Sequence, residues 1–452
     1  MKIIIAGSGK VGASLTRQLS SEGHDITLID SNQAVLDNTI EKYDVISVMG
    51  NCATSKVLNQ AGIREANLLI AATGEDEINL LCCLTAHSIN PDLHTIARIR
   101  NPEYSEQIYQ MRKIFALSLT VNPERQAARE IEKLLRFPGF LKRDSFAKDR
   151  VEIVELRVGG DSRLNGISLS ELTSIVKCQV LVCTVLRDGE AIMPGGSFIL
   201  NENDRIFVTA PTNELSTLLK NLNIITHRIK SVMLAGGGRL SIYLTQLLTK
   251  SGMKVSIIEK DYDRCVMLAQ LLPSTDIIHG DASNLPLLES EGLSECDALV
   301  SLTGLDEMNM VISLYATEHK VPLVITKFGH AEETSIFNRL SIGSIISPRE
   351  LCCNTIARYV RAMHKQTGAA VSVHSIAAGK AEAAEFIVDK GTLHCDEPLK
   401  SFKIRKNVLI VCITHHGKTV IPNGDSFFSL EDTVVVVTVA GTALSQLNDI
   451  FE

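Results

Sequence analysis

The chain has 452 residues, 45% of them apolar and 21% charged, with a net charge of −7 and no basic cluster. At about 100–200 residues per domain this predicts two to four domains, and the acidic balance argues against nucleic acid as a partner. No stretch reaches the roughly 18 uninterrupted apolar residues of a membrane span, and the start at Met1 shows no signal-peptide pattern, so a cytoplasmic protein is expected.

The first thirty residues organise the reading. Ile3, Ile4 and Ile5 have the length and β-branching of a buried strand, which breaks at Gly7-Ser8-Gly9-Lys10-Val11-Gly12. That is G-x-G-x-x-G. A helix carrying Leu15 and Leu19 follows, ends near Gly23, and yields to a second strand over 26–29 closed by Asp30. Strand, glycine turn, helix and acid together make a dinucleotide-binding unit. Gly7 allows the tight turn, Gly9 lets backbone approach a pyrophosphate, and Gly12 lets the helix lie close to the strand. The helix start offers unpaired N–H groups to phosphate. Asp30 would accept from the ribose hydroxyls and repel a 2′-phosphate, which favours NAD(H) over NADP(H). A P-loop is excluded because Val11 stands where Ser or Thr must hold the metal.

Further strands are predicted at 45–49, 67–72, 94–99 and 116–121, and helices at 55–61, 75–88 and 123–135, the last with Pro123 where a missing N–H costs nothing. This rhythm means an α/β fold, a doubly wound parallel sheet with ligand at the carboxyl ends of its strands. Candidate contacts at those ends are Asn51 and Cys52, Thr73 and Gly74, and Arg98. The segment 136–150 gains charge and loses periodicity, and is read as a linker. Beyond it, strand-like runs surround the hairpin signal Arg187-Asp188-Gly189-Glu190, which predicts a small α+β domain over 151–225.

The chain then begins again. Gly7 pairs with Gly236 and Asp30 with Glu259, each 229 positions later; Thr73-Gly74 recurs as Thr303-Gly304, Asn51-Cys52 as Asp281-Ala282, and Arg98 as Lys327. The second fingerprint is Gly236-Gly237-Gly238-Arg239-Leu240-Ser241, so a serine replaces the third glycine and the helix must sit further from the strand. Both a working second site and a structural copy are compatible with that. The order is large, small, large, small: 1–135, 151–225, 229–365 and 369–452.

Arg98 and Lys327 would meet phosphate at the sheet edge, or form surface ion pairs; Lys10 and Arg239 add charge in the glycine turns. Asp76-Glu77 and Asp306-Glu307 begin helices, where acids suit the positive end. His415-His416 fits an exposed hairpin turn better than a ligand pair. The eleven cysteines show no zinc spacing and are read as buried reduced thiols, with no metal site expected. No residue stands out as the proton donor a hydride-transfer enzyme needs, so a sensor is expected rather than a catalyst; the rival is a soluble NAD-dependent oxidoreductase with an unrecognised substrate site.

The block Thr73-Gly74-Glu75-Asp76-Glu77-Ile78-Asn79, the glycine turn, Asp30, Gly50-Asn51 and Arg98, followed by a small β-rich domain, resembles the regulator-of-potassium-conductance (RCK) domains. Two in tandem resemble the cytosolic NAD-binding subunits of Trk potassium uptake systems, the TrkA type. The resemblance implies a non-enzymatic regulatory subunit that binds NAD(H), with ATP and ADP as further candidates. It implies a homo-oligomeric ring on the inner face of the cell membrane, beneath an integral potassium-translocating subunit. By the same resemblance Gly7 to Val11, Asp30, Thr73, Gly74 and Arg98 would contact the first nucleotide, and Gly236 to Leu240, Glu259, Thr303, Gly304 and Lys327 the second.

Overall fold

The computed structural model describes residues 1–147, 150–222, 228–329, 343–363, 370–415, 417–439, 444 and 446–452. The opening apolar run forms β1 (Lys2–Ala6), buried from Ile3 onward, and the alternation continues through β2 (Asp25–Asp30), β3 (Ile46–Met49), β4 (Leu68–Ala71), β5 (His94–Arg98) and β6 (Leu119–Val121). All pairings are parallel and the order is β3-β2-β1-β4-β5-β6. Because the chain runs outward from β1 in one direction and then from β4 in the other, a crevice opens between β1 and β4 at their carboxyl ends. Helices cover both faces. Leu68 and Ile70 point to one packed layer, Leu69 and Ala71 to the other, as the two-residue period of a strand requires.

Strands β7 (Lys142–Phe146), β8 (Val151–Arg157), β9 (Leu181–Arg187), β10 (Glu190–Ile192) and β11 (Arg205–Pro211) form an antiparallel sheet ordered β10-β9-β11-β8-β7. The expected linker over 136–150 therefore contains an edge strand. Its charges have the look of a linker, yet they are paired: Arg143 binds Glu152 through Nε and Nη2 (2.7 and 2.8 Å), and Lys142 lies 3.2 Å from Asp144.

The second half repeats both layers. Strands β12 (Ser231–Ala235), β13 (Lys254–Glu259), β14 (Asp276–His279), β15 (Ala298–Ser301), β16 (Leu323–Lys327) and β17 (Ser344–Ile346) take the same parallel order. Strands β18 (Ala370–Ile376), β19 (Ala381–Ile387), β20 (Val408–His415), β21 (Lys418–Val420) and β22 (Thr433–Val439) repeat the antiparallel one. The fold is thus two Rossmann-like parallel-sheet domains, each followed by a small α+β domain. The two small sheets share one apolar core, in which Phe146, Ile153, Cys183 and Phe207 meet Ile376, Ala383, Cys412 and Val437.

Two helices cross between the halves. Pro123–Arg136, from the first half, lays Ala127, Ala128, Ile131 and Leu135 against Leu240, Tyr243, Leu244 and Leu248 of helix Arg239–Lys250, which follows the second glycine turn. Pro348–Met363, from the second half, packs Cys352, Cys353, Ile356 and Val360 against Val11, Leu15 and Leu19 of helix Lys10–Ser21, which follows the first. Arg361 closes an ion pair with Glu22, and the Tyr359 hydroxyl lies 2.7 Å from His94 Nδ1. Each glycine helix is therefore braced from the opposite half.

Between the small domains, burial raises the Asp144 carboxyl, but Lys142 and the His374 hydrogen bond outweigh it and hold the group at about 2. The folded-state value lies below the unfolded one. This contribution, about 2 kcal/mol, is therefore complete above pH about 4 and is lost as pH falls through about 2. Thermal midpoints measured between pH 5 and pH 2 are expected to fall more steeply for the native chain than for Asp144→Asn. Parallel curves would contradict the assignment.

Candidate functional site

The first pocket is built on three strand ends. Gly7 adopts φ +96°, and a Cβ there would lie 2.8 Å from the Thr73 nitrogen, so the turn after β1 nests against the turn after β4. Gly12 is tighter: an added Cβ would stand 1.9 Å from the Gly7 carbonyl oxygen. Gly9, Gly74, Gly238 and Gly304 face open space, with nothing within 4 Å of the point a Cβ would occupy. Helices Lys10–Ser21 and Arg239–Lys250 begin at Gly9 and Gly238 with no side-chain cap, so their first N–H groups are left to bind an anion. A phosphate chain fits that cradle, because both the space and the donors are there.

Asp30 closes β2 and braces the turn. Its Oδ2 accepts from Ser8 N at 2.7 Å and its Oδ1 from Asn32 N at 2.9 Å. Glu259 repeats this, accepting from Gly237 N at 2.8 Å and Asp261 N at 2.9 Å. A carboxylate has about four acceptor sites, so both acids retain capacity for ribose hydroxyls. The extra methylene of Glu259 is matched locally. Where the first turn has Ser8, hydrogen-bonded to Thr39 at 3.2 Å, the second has Gly237, whose added Cβ would lie 2.5 Å from Leu268 and 3.0 Å from Glu259 Oε2. Ser241 has a Cβ where Gly12 has no room for one, and its hydroxyl donates to the Gly236 carbonyl.

The Thr-Gly-x-Asp-Glu-x-Asn block ties neighbouring strand ends together. Buried Asn79 accepts from Thr73 N and Thr73 Oγ1, both at 2.8 Å, and donates to the Arg98 carbonyl at 2.8 Å. Asn309 does the same with Thr303, at 2.7 Å for both contacts, and with the Lys327 carbonyl at 3.1 Å. Asp76 Oδ2 accepts from Arg100 N and Asn101 N, at 2.8 and 2.7 Å. Asp76 therefore shapes the loop after β5, and Asp306, accepting from Gly329 N at 2.8 Å, the loop after β16, a stronger role than complementing a helix end. Asn51 and Asp281 are turn-formers, accepting from Ala53 N and Ser283 N at 2.9 Å. The Ser283 N–H holds the Asp281 carboxyl below its ordinary value.

The residues read from sequence divide clearly. Gly7 to Lys10, Asp30, Thr73, Gly74 and Arg98 ring one crevice, and their counterparts ring the other. Val11, Leu240, Cys52 and Ala282 turn their side chains into apolar cores, so they offer the crevice only backbone. Lys10 and Arg239 are exposed at the turns. His415 pairs with Asp432 at 2.8 Å, remote from both crevices, and His416 lies outside the described residues. Nine of the eleven cysteines are buried, and burial pushes Cys83, Cys183 and Cys412 up to about 12.

Arg98 and Lys327 are not surface ion pairs. Arg98 donates through Nη2 to the Thr73 carbonyl while its buried Nε has no partner among the described residues; Lys327 donates to the Thr303 carbonyl. Burial lowers both groups, and Arg100 lowers Arg98 further. Cations held partly out of water and short of acceptors favour an anionic ligand.

Three residues that sequence reasoning missed lie at the crevices. Glu124, in the first turn of helix Pro123–Arg136, is felt by both Arg98 and Lys327, and its buried Oε2 has no partner among the described residues. Lys327 also feels Lys10 from the first glycine turn, so the two crevices approach one another at this helix. Arg264 donates from Nε to the Gly237 carbonyl at 2.7 Å, beside the second acid. Arg100 donates to the Gly74 carbonyl, and its own carbonyl accepts from the Tyr243 hydroxyl at 3.2 Å, across the halves. The first-turn position of Glu124 after Asn-Pro was readable as a helix start; that it faces the opposite half was not.

Comparison with known proteins agrees with this architecture. The TrkA-N domain family model matches residues 3–118 and 232–348, and the TrkA-C domain model matches 153–223. The Trk system potassium uptake protein TrkA homolog 1 of Methanosarcina mazei is 28% identical over 451 residues, 98% of each chain. TrkA of Haemophilus influenzae is 31% identical over 393 residues, 86% of this chain and 84% of that one. In structure, the GsuK RCK domain covers 97% of this chain and 92% of its own at a TM-score of 0.61 and 16% identity, a likeness of fold. The oxidoreductase alternative drops out, since these full-length relatives are potassium uptake proteins and not enzymes. With TrkA-N matches on both parallel-sheet halves and such relatives across its length, the chain belongs to the family of Trk system potassium uptake protein TrkA.

Proposed function

We propose that this chain is a regulatory subunit that senses adenine nucleotides in its two crevices and so controls a potassium-translocating membrane partner. The observation that carries this reading is the pair of phosphate cradles, each with a bracing acid and a half-buried cation, meeting at helix Pro123–Arg136. NAD(H) is the principal ligand and ATP or ADP the competitor; GsuK, which shares the fold, has been seen bound to NAD and to ADP. Gly7 to Val11, Asp30, Asn51, Thr73, Gly74 and Arg98 form the first site, and Gly236 to Leu240, Glu259, Asp281, Thr303, Gly304 and Lys327 the second.

No helix among the described residues is long and apolar enough to cross a membrane; in this reading the link to the bilayer runs through the partner. Ring assembly has a surface to use. Leu81 and Leu84 are exposed on the outer face of helix Asp76–Ile89, and Val311 and Leu314 repeat that stripe on Asp306–Glu318. Two like patches on one chain allow neighbours to be joined on both sides, as a closed ring requires. Nucleotide then controls the partner only as far as its affinity differs between the packings the partner selects.

Titration calorimetry with NADH, NAD⁺, ADP and ATP tests the assignment. Asp30→Ala is expected to weaken nucleotide at the first site by about tenfold or more, the worth of one charged hydrogen bond, and to leave the second near native. Loss of both sites, or of neither, would contradict the roles given to Asp30 and Glu259.

A further inference from the structure

Asp144 and His374 occupy the same place in the duplicated fold. Asp144 pairs across its sheet with Ile153 and His374 pairs with Ala383, and those partners are 230 positions apart, as are Asp144 and His374 themselves. Yet the two side chains touch, His374 Nδ1 lying 3.1 Å from Asp144 Oδ1. Equivalent residues meet only at the axis relating two copies, so this contact marks the pseudo-twofold axis between the small domains. Cys183 and Cys412, 229 apart, share the apolar core beside it.

We propose that this position is a pairing code: an acid in one copy and a base in the other make the first small domain fit the second and reject its own kind. The surroundings carry the same asymmetry. Lys142, on the strand of Asp144, reaches across to the Ser375 carbonyl at 2.8 Å. Arg358 of helix Pro348–Met363 approaches His374 Nε2 at 3.2 Å, and the His374 ring packs on Phe146 with centroids 4.7 Å apart. Glu130, Glu155 and Glu350 are the other charged groups felt by Asp144 or Lys142. Two second small domains placed together would set imidazole against imidazole with an Arg358 on each side and no carboxylate between. Two first small domains would set carboxylate against carboxylate. Only in the mixed pairing does a carboxylate meet an imidazole that can donate to it, and that difference is what specificity requires. The intended occupant of the first small domain's face is therefore a second small domain, here the one on the same chain.

The test is a charge-swap cycle in the full-length chain, read by thermal midpoint and by mass from light scattering. Asp144→His and His374→Asp, each placing like groups at the axis, are expected to lower the midpoint by about 5 °C or more. The double swap is expected to recover at least half of the larger loss, with the native mass. Asp144→Asn and His374→Asn, which keep a polar side chain at the axis without setting like groups together, are expected to fall between the native chain and the two like-paired chains. If a like-paired chain fails to yield soluble protein while the double swap does, the code is supported. A double swap no better than the worse single variant, or asparagine variants as unstable as the like-paired ones, would overturn it.

Discussion

Gly12→Ala is expected to empty the first crevice while sparing the second. The added methyl would stand 1.9 Å from the Gly7 carbonyl oxygen and 3.0 Å from its carbon, and both are backbone atoms that no rotamer change can move. Either helix Lys10–Ser21 shifts outward or the turn after β1 opens, and both movements pull the helix N-terminus from the phosphate position. Overpacking of a tight core site costs about 1–3 kcal/mol, and a backbone collision belongs at the upper end. The helix also carries Val11, Leu15 and Leu19 onto the opposite half's Cys353 and Ile356, so its displacement disturbs that packing too. Calorimetry should show first-site affinity reduced by about a hundredfold, with the second site near native. Two sites of undiminished affinity would refute the role given to Gly12. The second half accommodates a larger residue at this position, Ser241, whose hydroxyl donates to the Gly236 carbonyl.

The second large effect is expected from Asn79→Ala. The side chain is fully buried and makes three hydrogen bonds of 2.8 Å that join the end of β4, the following helix and the end of β5. Alanine would strand the Thr73 N–H and the Arg98 carbonyl without partners. At about 1–3 kcal/mol for each buried unsatisfied group, the loss should reach about 3–5 kcal/mol, enough to lower the thermal midpoint of the first half distinctly. Because Arg98 leaves the sheet at the same point, nucleotide binding there should weaken as well. Asn309→Ala should reproduce the defect in the second half. A midpoint within a degree of native for Asn79→Ala would show that the block is not the fold's fastening.

Periodicity and punctuation made the parallel-sheet halves readable. Buried strands such as Ile3 to Ile5 announce themselves by β-branching, and the glycine turns mark where each strand stops. Two helices escape that reading, Gln33–Ile40 and Pro102–Met111. The second carries the same Asn-Pro start as Pro123–Arg136, with Asn101 accepting from Glu103 N at 3.1 Å, so its signal is present in the sequence. The edge strand β7 is hidden because Lys142, Arg143 and Asp144 look like linker charges until their partners, Glu152 and His374, are known. Such partners lie in other elements, and no local pattern reveals them. The crevice residues were legible for the same reason the strands were: they sit in turns whose backbone demands are written in glycine. Glu124, Arg264 and Arg100 were not: Glu124 and Arg100 matter through the opposite half that faces them, and Arg264 through a glycine turn 27 residues away.

The crossed helices have a consequence for how the molecule survives dilution. Each crevice leans on a helix supplied by the other half, Pro348–Met363 behind the first and Pro123–Arg136 behind the second. A chain of half this length would have to find a second copy before either crevice had its backing, and its competence would fade at low abundance. Joining the halves covalently replaces that encounter with a tethered one, whose effective concentration for a short connection is in the millimolar range. The duplicated chain thus carries the backing of both crevices within one copy, however scarce it is in the cell.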